Sequence, residues 1–357
     1  MSDISTLLAE TCTRLFTDLV TADSLRAAEA GEWPGDLWPA LEENGLTRPL
    51  VPEAQGGVGL TWQDTFPILF AAGYHAAPVP LAETIVAGWQ LAEAGMAVPD
   101  GAITLADDQT SLDLAGSDSA WHVSGRLEQV PWAGSADHIL AIAKNDDQRK
   151  LVLLERDRIS VESDTNIGRD PRGAISVSDA SPAAVADLPN GFMPAPMLLF
   201  AALARSAQMA GAIAGVLDLC VEYAGDREQF GRPLAKFQAI QHQLAILATE
   251  AAAAQTAAQY ACRAVDVTPR ASLAIQEIAT AKIRTGEAAG KAAAIGHQVH
   301  GAIGFTEEYR LHYLTRRLWS WRSEFGAELL WAAHLGAVIT AGGADELWPH
   351  ITSLPKE

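Results

Sequence analysis

Cysteine is scarce in this chain: Cys12, Cys220 and Cys262 are its only three among 357 residues. Their wide spacing forms neither a C-x-x-C pair nor a dense disulfide framework, so structural thiols in a reducing compartment are expected. Positive charge is short as well. With 25 Lys and Arg against 44 Asp and Glu the formal net charge is −19, and a field of that sign repels nucleic acid and anionic membrane on average. No run of roughly eighteen apolar residues, the length a membrane helix needs, occurs. The opening MSDISTLLAETCTRLF has no basic segment ahead of an apolar one. A soluble, cytoplasmic chain with no nucleic-acid or membrane partner is expected. Reactive constellations are missing too. The serines form no G-x-S-x-G elbow, and His242, His297, His300 and His312 form no H-E-x-x-H or other tight ligand set, so neither nucleophilic catalysis nor a metal site is expected.

What the chain does have is apolar content, 49% of its residues, enough to bury a large core over two or three domains. Three textures follow one another. Up to residue 98, LLAETCTRLFTDLV, DLWPALEENG, WQDTFPILFAAGYHA and PLAETIVAGWQLAEAG space apolar residues three and four apart, the period of amphipathic helices. From 99 to 192, short runs such as AITLA, WHVSG, HILAIA, KLVLLE and AISVSD alternate with polar turns and predict a β domain. From 193 to 357, Ala- and Leu-rich stretches lose little side-chain entropy in helices. Segments 197–225, 235–266, 270–299 and 324–343 predict an antiparallel bundle. The expected fold is α+β: a helical N-terminal domain, a central antiparallel β domain and a C-terminal four-helix bundle.

Three segments carry a resemblance. DREQFGRPLAKFQAIQHQLA (226–245) is similar to an R-x-Q-F-G segment followed by F-Q, and HQVHGAIGFTEEYRLHYLTRR (297–317) to a Q-x-x-G-x-x-G-[FY]-T-x-E segment. LWPALEENGLTRPLVPEAQGGVGLTWQD (37–64) matches an N-terminal signature. Together they resemble the acyl-CoA dehydrogenase family, in the family's order and over nearly the whole chain. The resemblance implies an FAD-dependent enzyme, commonly a dimer of dimers, that oxidises the Cα–Cβ bond of an acyl-CoA and passes electrons to an electron-transfer flavoprotein. It also implies roles. Arg227 presents a planar cation suited to the cofactor's diphosphate. Gln229 and Gln238 can donate and accept toward adenine and ribose, and Phe230 offers an apolar face. Gln298, with Gly301, Ala302 and Gly304, combines one amide with small residues where backbone can approach a ligand, here the FAD of a neighbouring subunit.

Catalysis in the family needs a carboxylate to remove the Cα proton as the Cβ hydride leaves. Counted from the motifs, its two family positions fall here on Phe325 and Ala201, neither of which accepts a proton. The adjacent Glu324 is the candidate base, displaced by about 100° around a helix if its loop is shifted; the alternative is a solvated helix-start glutamate. The flavin-binding loop also departs, with ITLADDQTSLDLAGSD (103–118) in its place. Trp132 either flanks the isoalloxazine or is a strand core residue. Nucleotide-tail residues kept beside an eroded base resemble the noncatalytic subunit of heteromeric acyl-CoA dehydrogenases from actinobacterial sterol degradation. Three functions are therefore open: a dehydrogenase in its own right, an FAD-sharing subunit beside a catalytic partner, or a structural homologue that binds no flavin.

Overall fold

A computed structural model describes residues 3–107, 112–117, 120–189, 195–268 and 274–352. Five helices lead the chain: α1 (Asp3–Leu19), α2 (Ala22–Glu29), α3 (Leu37–Glu43), α4 (Trp62–Tyr74) and α5 (Leu81–Glu93). Local chemistry sets their starts. Thr21 and Ser24 bond each other's backbone N–H as a capping box before α2. The first amides of α4, Trp62 N and Gln63 N, donate to the two oxygens of Asp266 at 2.8 Å each, which ties the first domain to the third.

Eight strands follow: β1 (Ile103–Leu105), β2 (Leu112–Ala115), β3 (His122–Pro131), β4 (His138–Asn145), β5 (Gln148–Glu155), β6 (Ser160–Thr165), β7 (Pro171–Ala180) and β8 (Ala184–Asp187). They form one sheet in the order β6-β7-β3-β2-β4-β5-β8, with β1 joined to β4. The expectation of an antiparallel sheet needs correction: β4 runs parallel to both β1 and β2. The chain leaves β1 and β2 and reaches β4 only after crossing through β3, so β4 enters from the same end as both. Short apolar runs reveal strands, and their direction depends on these connections.

The third region holds α6 (Pro196–Asp226), a small hairpin of β9 (Glu228–Gln229) and β10 (Arg232–Pro233), then α7 (Gln238–Val267), α8 (Ile275–His300), α9 (Leu311–Ser323), α10 (Glu328–Gly342) and α11 (Ala344–Thr352). Helix α9 was not among the predicted bundle segments. α6 is the central strut. By length and composition it could cross a membrane, but 89% of its apolar window is buried inside the protein. It meets α4 backbone to backbone: a Cβ on Gly73 would lie 1.9 Å from Gln208 O, and one on Gly211 1.9 Å from Phe70 O.

One apolar cluster joins the helices to one side of the sheet, and a second, with Val123, Leu127, Ile139, Val152 and Ile175, fills the other. α5 is buried from Leu81 to Ala92. Against it Trp62, Trp89 and Phe200 pack at centroid distances of 5.2 Å and 4.6 Å, filling the space between α4, α5 and α6.

Candidate FAD and acyl-CoA site

The R-x-Q-F-G segment turns where α6 ends. Arg227 has left the helix, with ψ at 119°, while its N–H still donates to Tyr223 O. The β9–β10 hairpin then carries Phe230 at its tip with φ of +52° and 91% exposure. On the other side α8 stops at Gly301, whose φ is +61° and whose missing Cβ would meet nothing within 4 Å. These two ends face each other. Arg227, Gln229, Gln298, Gly301 and Ala302 line one open groove of about 530 Å³, so five residues distant in sequence converge.

Among the described residues the guanidinium of Arg227 forms no ion pair, and the amides of Gln229 and Gln298 bond no protein group. Such unengaged donors on an open groove are what a diphosphate with its ribose and base requires. The floor is uncharged. His300 donates from Nδ1 to Gly296 O at 2.8 Å and sits 3.0 Å from the Tyr309 hydroxyl at Nε2, and burial lowers its pKa. Tyr223 stacks on its ring at 4.6 Å.

Two expected ligand contacts lie elsewhere. Gln238 is exposed at the first turn of α7 and does not line the groove, and Phe230 packs edge-on against Phe237 at 6.3 Å. Gly304 serves packing instead of ligand approach, since a Cβ there would stand 3.1 Å from both His300 Cβ and Leu311 Cδ2.

A second cavity, of about 680 Å³, opens between the β domain and the turn joining α9 to α10, with Arg172, Glu324, Phe325 and Leu330 in its wall. Here Glu324 is neither a solvated helix-start residue nor free of ion pairs. Its Oε1 accepts from Arg172, from Asn166 at 2.9 Å and from Ser320 at 3.0 Å, and its Oε2 lies 2.9 Å from Arg205. Burial alone would raise this carboxyl, but Arg172 and Arg205 outweigh it and hold the group at about 2. A carboxylate so stabilised is too weak a base to take a proton from carbon.

The network runs on through the interior. Arg205 pairs with Glu83 on α5 at 2.5 Å, and Arg317 with Asp170 at 2.9 Å, while Trp321 Nε1 donates to Asp170. Three acids and three arginines balance, and they join the β domain to α5, α6 and α9. Lys282, on α8, donates to Arg322 O and Gly326 O at 2.8 Å each, fixing the turn that carries Glu324. Arg172, Arg205, Asn166 and Lys282 escaped the sequence analysis, because nothing in one chain's order announces which arginine will meet which acid.

At the family's base position Phe325 is buried, in the left-handed region with φ of +52°. Ala201, at the other position, is buried within α6. Trp132 is buried in the turn after β3, its N–H donating to Pro171 O, and lines neither cavity. In the altered flavin loop, residues 108–111 and 118 lie outside the described residues. The hydroxyl of Thr104 in that loop is buried and donates to Pro131 O at 2.5 Å.

Comparison with known proteins agrees with this architecture. Residues 2–97 match the N-terminal domain of acyl-CoA dehydrogenases and residues 196–328 their C-terminal domain. The acyl-CoA dehydrogenase IpdE2 of Mycobacterium tuberculosis is 29% identical over 323 residues, covering 87% of this chain and 89% of that protein. A solved variant of the Tcur3481–Tcur3483 steroid ACAD superposes with a TM-score of 0.85 at 29% identity, covering 95% and 98% of the two chains. The ChsE4–ChsE5 complex of Mycobacterium tuberculosis gives a TM-score of 0.86 at 23% identity, covering 96% and 99%. The chain belongs to the acyl-CoA dehydrogenase family, whose members are FAD-dependent oxidoreductases.

Proposed function

We propose that this chain is the FAD-completing, base-free subunit of a heteromeric acyl-CoA dehydrogenase, most simply two copies with two of a catalytic partner. One observation carries the proposal: the nucleotide groove is assembled with its donors unengaged, whereas the one glutamate beside the family's base position is neutralised by two arginines. The two halves of a complete site have diverged within one chain.

Arg227 would hold the cofactor's diphosphate, and Gln298 and Gln229 would bond its ribose and base, with Gly301 and Ala302 allowing close approach. FAD bound there would supply an acceptor for the Cβ hydride. The partner subunit removes the Cα proton and holds the thioester. The steroid ACAD named among the similar structures supports a ring-bearing acyl-CoA as the complex's substrate. Electrons leave to an electron-transfer flavoprotein. Three free, buried thiols suit a cytoplasmic setting.

The experiment is flavin content per chain, with mass, for the protein alone and coexpressed with a neighbouring dehydrogenase. Little flavin alone and about one per unlike pair on coexpression is expected. Full occupancy in a homo-oligomer that turns over acyl-CoA would instead make the chain self-sufficient and overturn the proposal.

A further inference from the structure

A cavity of about 720 Å³ lies between α3, the loop at 47–58 and the start of the β domain, on residues that take no part in either site above. Its size falls within the ~300–1,000 Å³ that small-ligand pockets occupy. Two indoles form one wall: Trp33 and Trp38 sit 5.8 Å apart at 56°, and Trp33 is 38% exposed. Four carboxylates, Glu42, Glu43, Asp100 and Asp137, line it against a single arginine.

Those acids are not equivalent. Arg48 donates from one guanidinium nitrogen to Pro99 O at 2.7 Å and Asp100 Oδ1 at 2.6 Å. Asp137 accepts from Ala102 N and Glu42 from Trp38 Nε1. Glu43 is exposed and pairs with no cation among the described residues. Thr47 gives a separate sign of a ligand: it is 5% exposed, lines the cavity, and its hydroxyl bonds no protein group among the described residues. That hydroxyl opens onto the cleft, where an occupant can bond it as donor or acceptor.

A metal ion does not suit this chemistry, because no three acidic or imidazole side chains converge on a point among the described residues. Aromatic faces beside carboxylates suit a different cation, one whose charge sits on an apolar stem and can lie over an indole. We infer that this cleft is a binding site for an organic ammonium or guanidinium group, seated against Trp33 with Glu43 as counter-ion and Thr47 as hydrogen-bond partner. Because the cleft is walled by the first and second domains, its occupant ties them together.

The test is isothermal titration of the chain, in the oligomer in which it purifies, with spermidine and separately with Nα-acetyl-lysine methylamide. Saturable binding at one site per chain is expected for at least one probe. Trp33→Ala and Glu43→Gln should each weaken it about tenfold, with circular dichroism and mass unchanged, since both residues are at the surface. Preference for spermidine identifies a free polyamine as occupant; preference for the lysine amide identifies a side chain of another protein. The inference is overturned if neither probe gives saturable heat, if the Nε-acetylated lysine amide binds as well, or if magnesium chloride binds the same site equally.

Discussion

At the scale of single residues, Glu324 and Arg227 make opposite predictions. Replacing Glu324 by Gln keeps the shape but leaves Arg172 and Arg205 buried without their counter-charge, which costs about 3–5 kcal/mol. Denaturant unfolding at neutral pH should show that loss, while turnover per folded complex with the catalytic partner stays within about twofold. A collapse of turnover at unchanged stability would restore Glu324 as the base. The pH dependence has a definite sign. This carboxyl titrates at about 2 in the folded protein and near ~4.3 in an unfolded chain. Its contribution, on the order of 3 kcal/mol, is therefore present above the unfolded value and lost as pH falls toward 2. Acid unfolding of Glu324→Gln should be shallower across that window. Arg227, exposed and without an ion pair, has no such structural duty. Arg227→Ala should leave the melting temperature of the flavin-free chain within a degree or two and weaken FAD binding about 10- to 100-fold, read by flavin retained after gel filtration.

Among the elements, the crossing of α4 and α6 is the most exacting contact. Gly73 and Gly211 let the two backbones touch, with would-be Cβ positions 1.9 Å from the opposing carbonyl oxygens. Gly211→Ala must push the helices apart, opening the apolar cluster that includes Ile68, Leu69, Ala207 and Ala210. We expect a loss of at least ~3 kcal/mol or insoluble protein, whereas Gly225→Ala, with nothing near its missing Cβ, should be neutral or slightly stabilising. This scale also shows what a sequence can and cannot disclose. Long Ala- and Leu-rich stretches announce α6, α7, α8 and α10 within a few residues, because helical period and propensity are local properties. Helix α9 hides because LHYLTRRLWSW carries three buried polar side chains, Thr315, Arg317 and Ser320, and the partners of Thr315 and Arg317, His297 and Asp170, lie on other elements. The groove was legible for the same reason as the helices: Arg227 and Gln298 stand in ordered motifs at two helix ends. The ion network around Glu324 was not, since Asn166 and Arg172 come from the β domain, Arg205 from α6 and Lys282 from α8. Only packing brings them together.

For the whole molecule, α10 is the outstanding feature. Its sequence ELLWAAHLGAVITAG is apolar around the circumference, yet Trp331 alone among its residues is buried in the single chain. Leu329 is 82% exposed and Leu330 46%. A helix apolar on every side is ordinarily covered, so under the proposed function this surface is where a partner subunit is expected to pack. The groove of Arg227 and Gln298 is likewise open to solvent in one chain, and the proposed function has a second subunit receive the flavin ring of an FAD held there. Assembly and cofactor retention should then fail together. Leu329→Asp places a charge where the isolated chain meets only solvent, so the monomer should fold with an unchanged melting temperature. In the complex that charge would be desolvated, and light scattering should show dissociation to smaller species at micromolar concentration. Flavin per pair should fall in parallel, although no residue of the groove has changed. Retention of flavin by a dissociated Leu329→Asp chain would mean that one chain holds the cofactor unaided, and would remove the reason for a shared site.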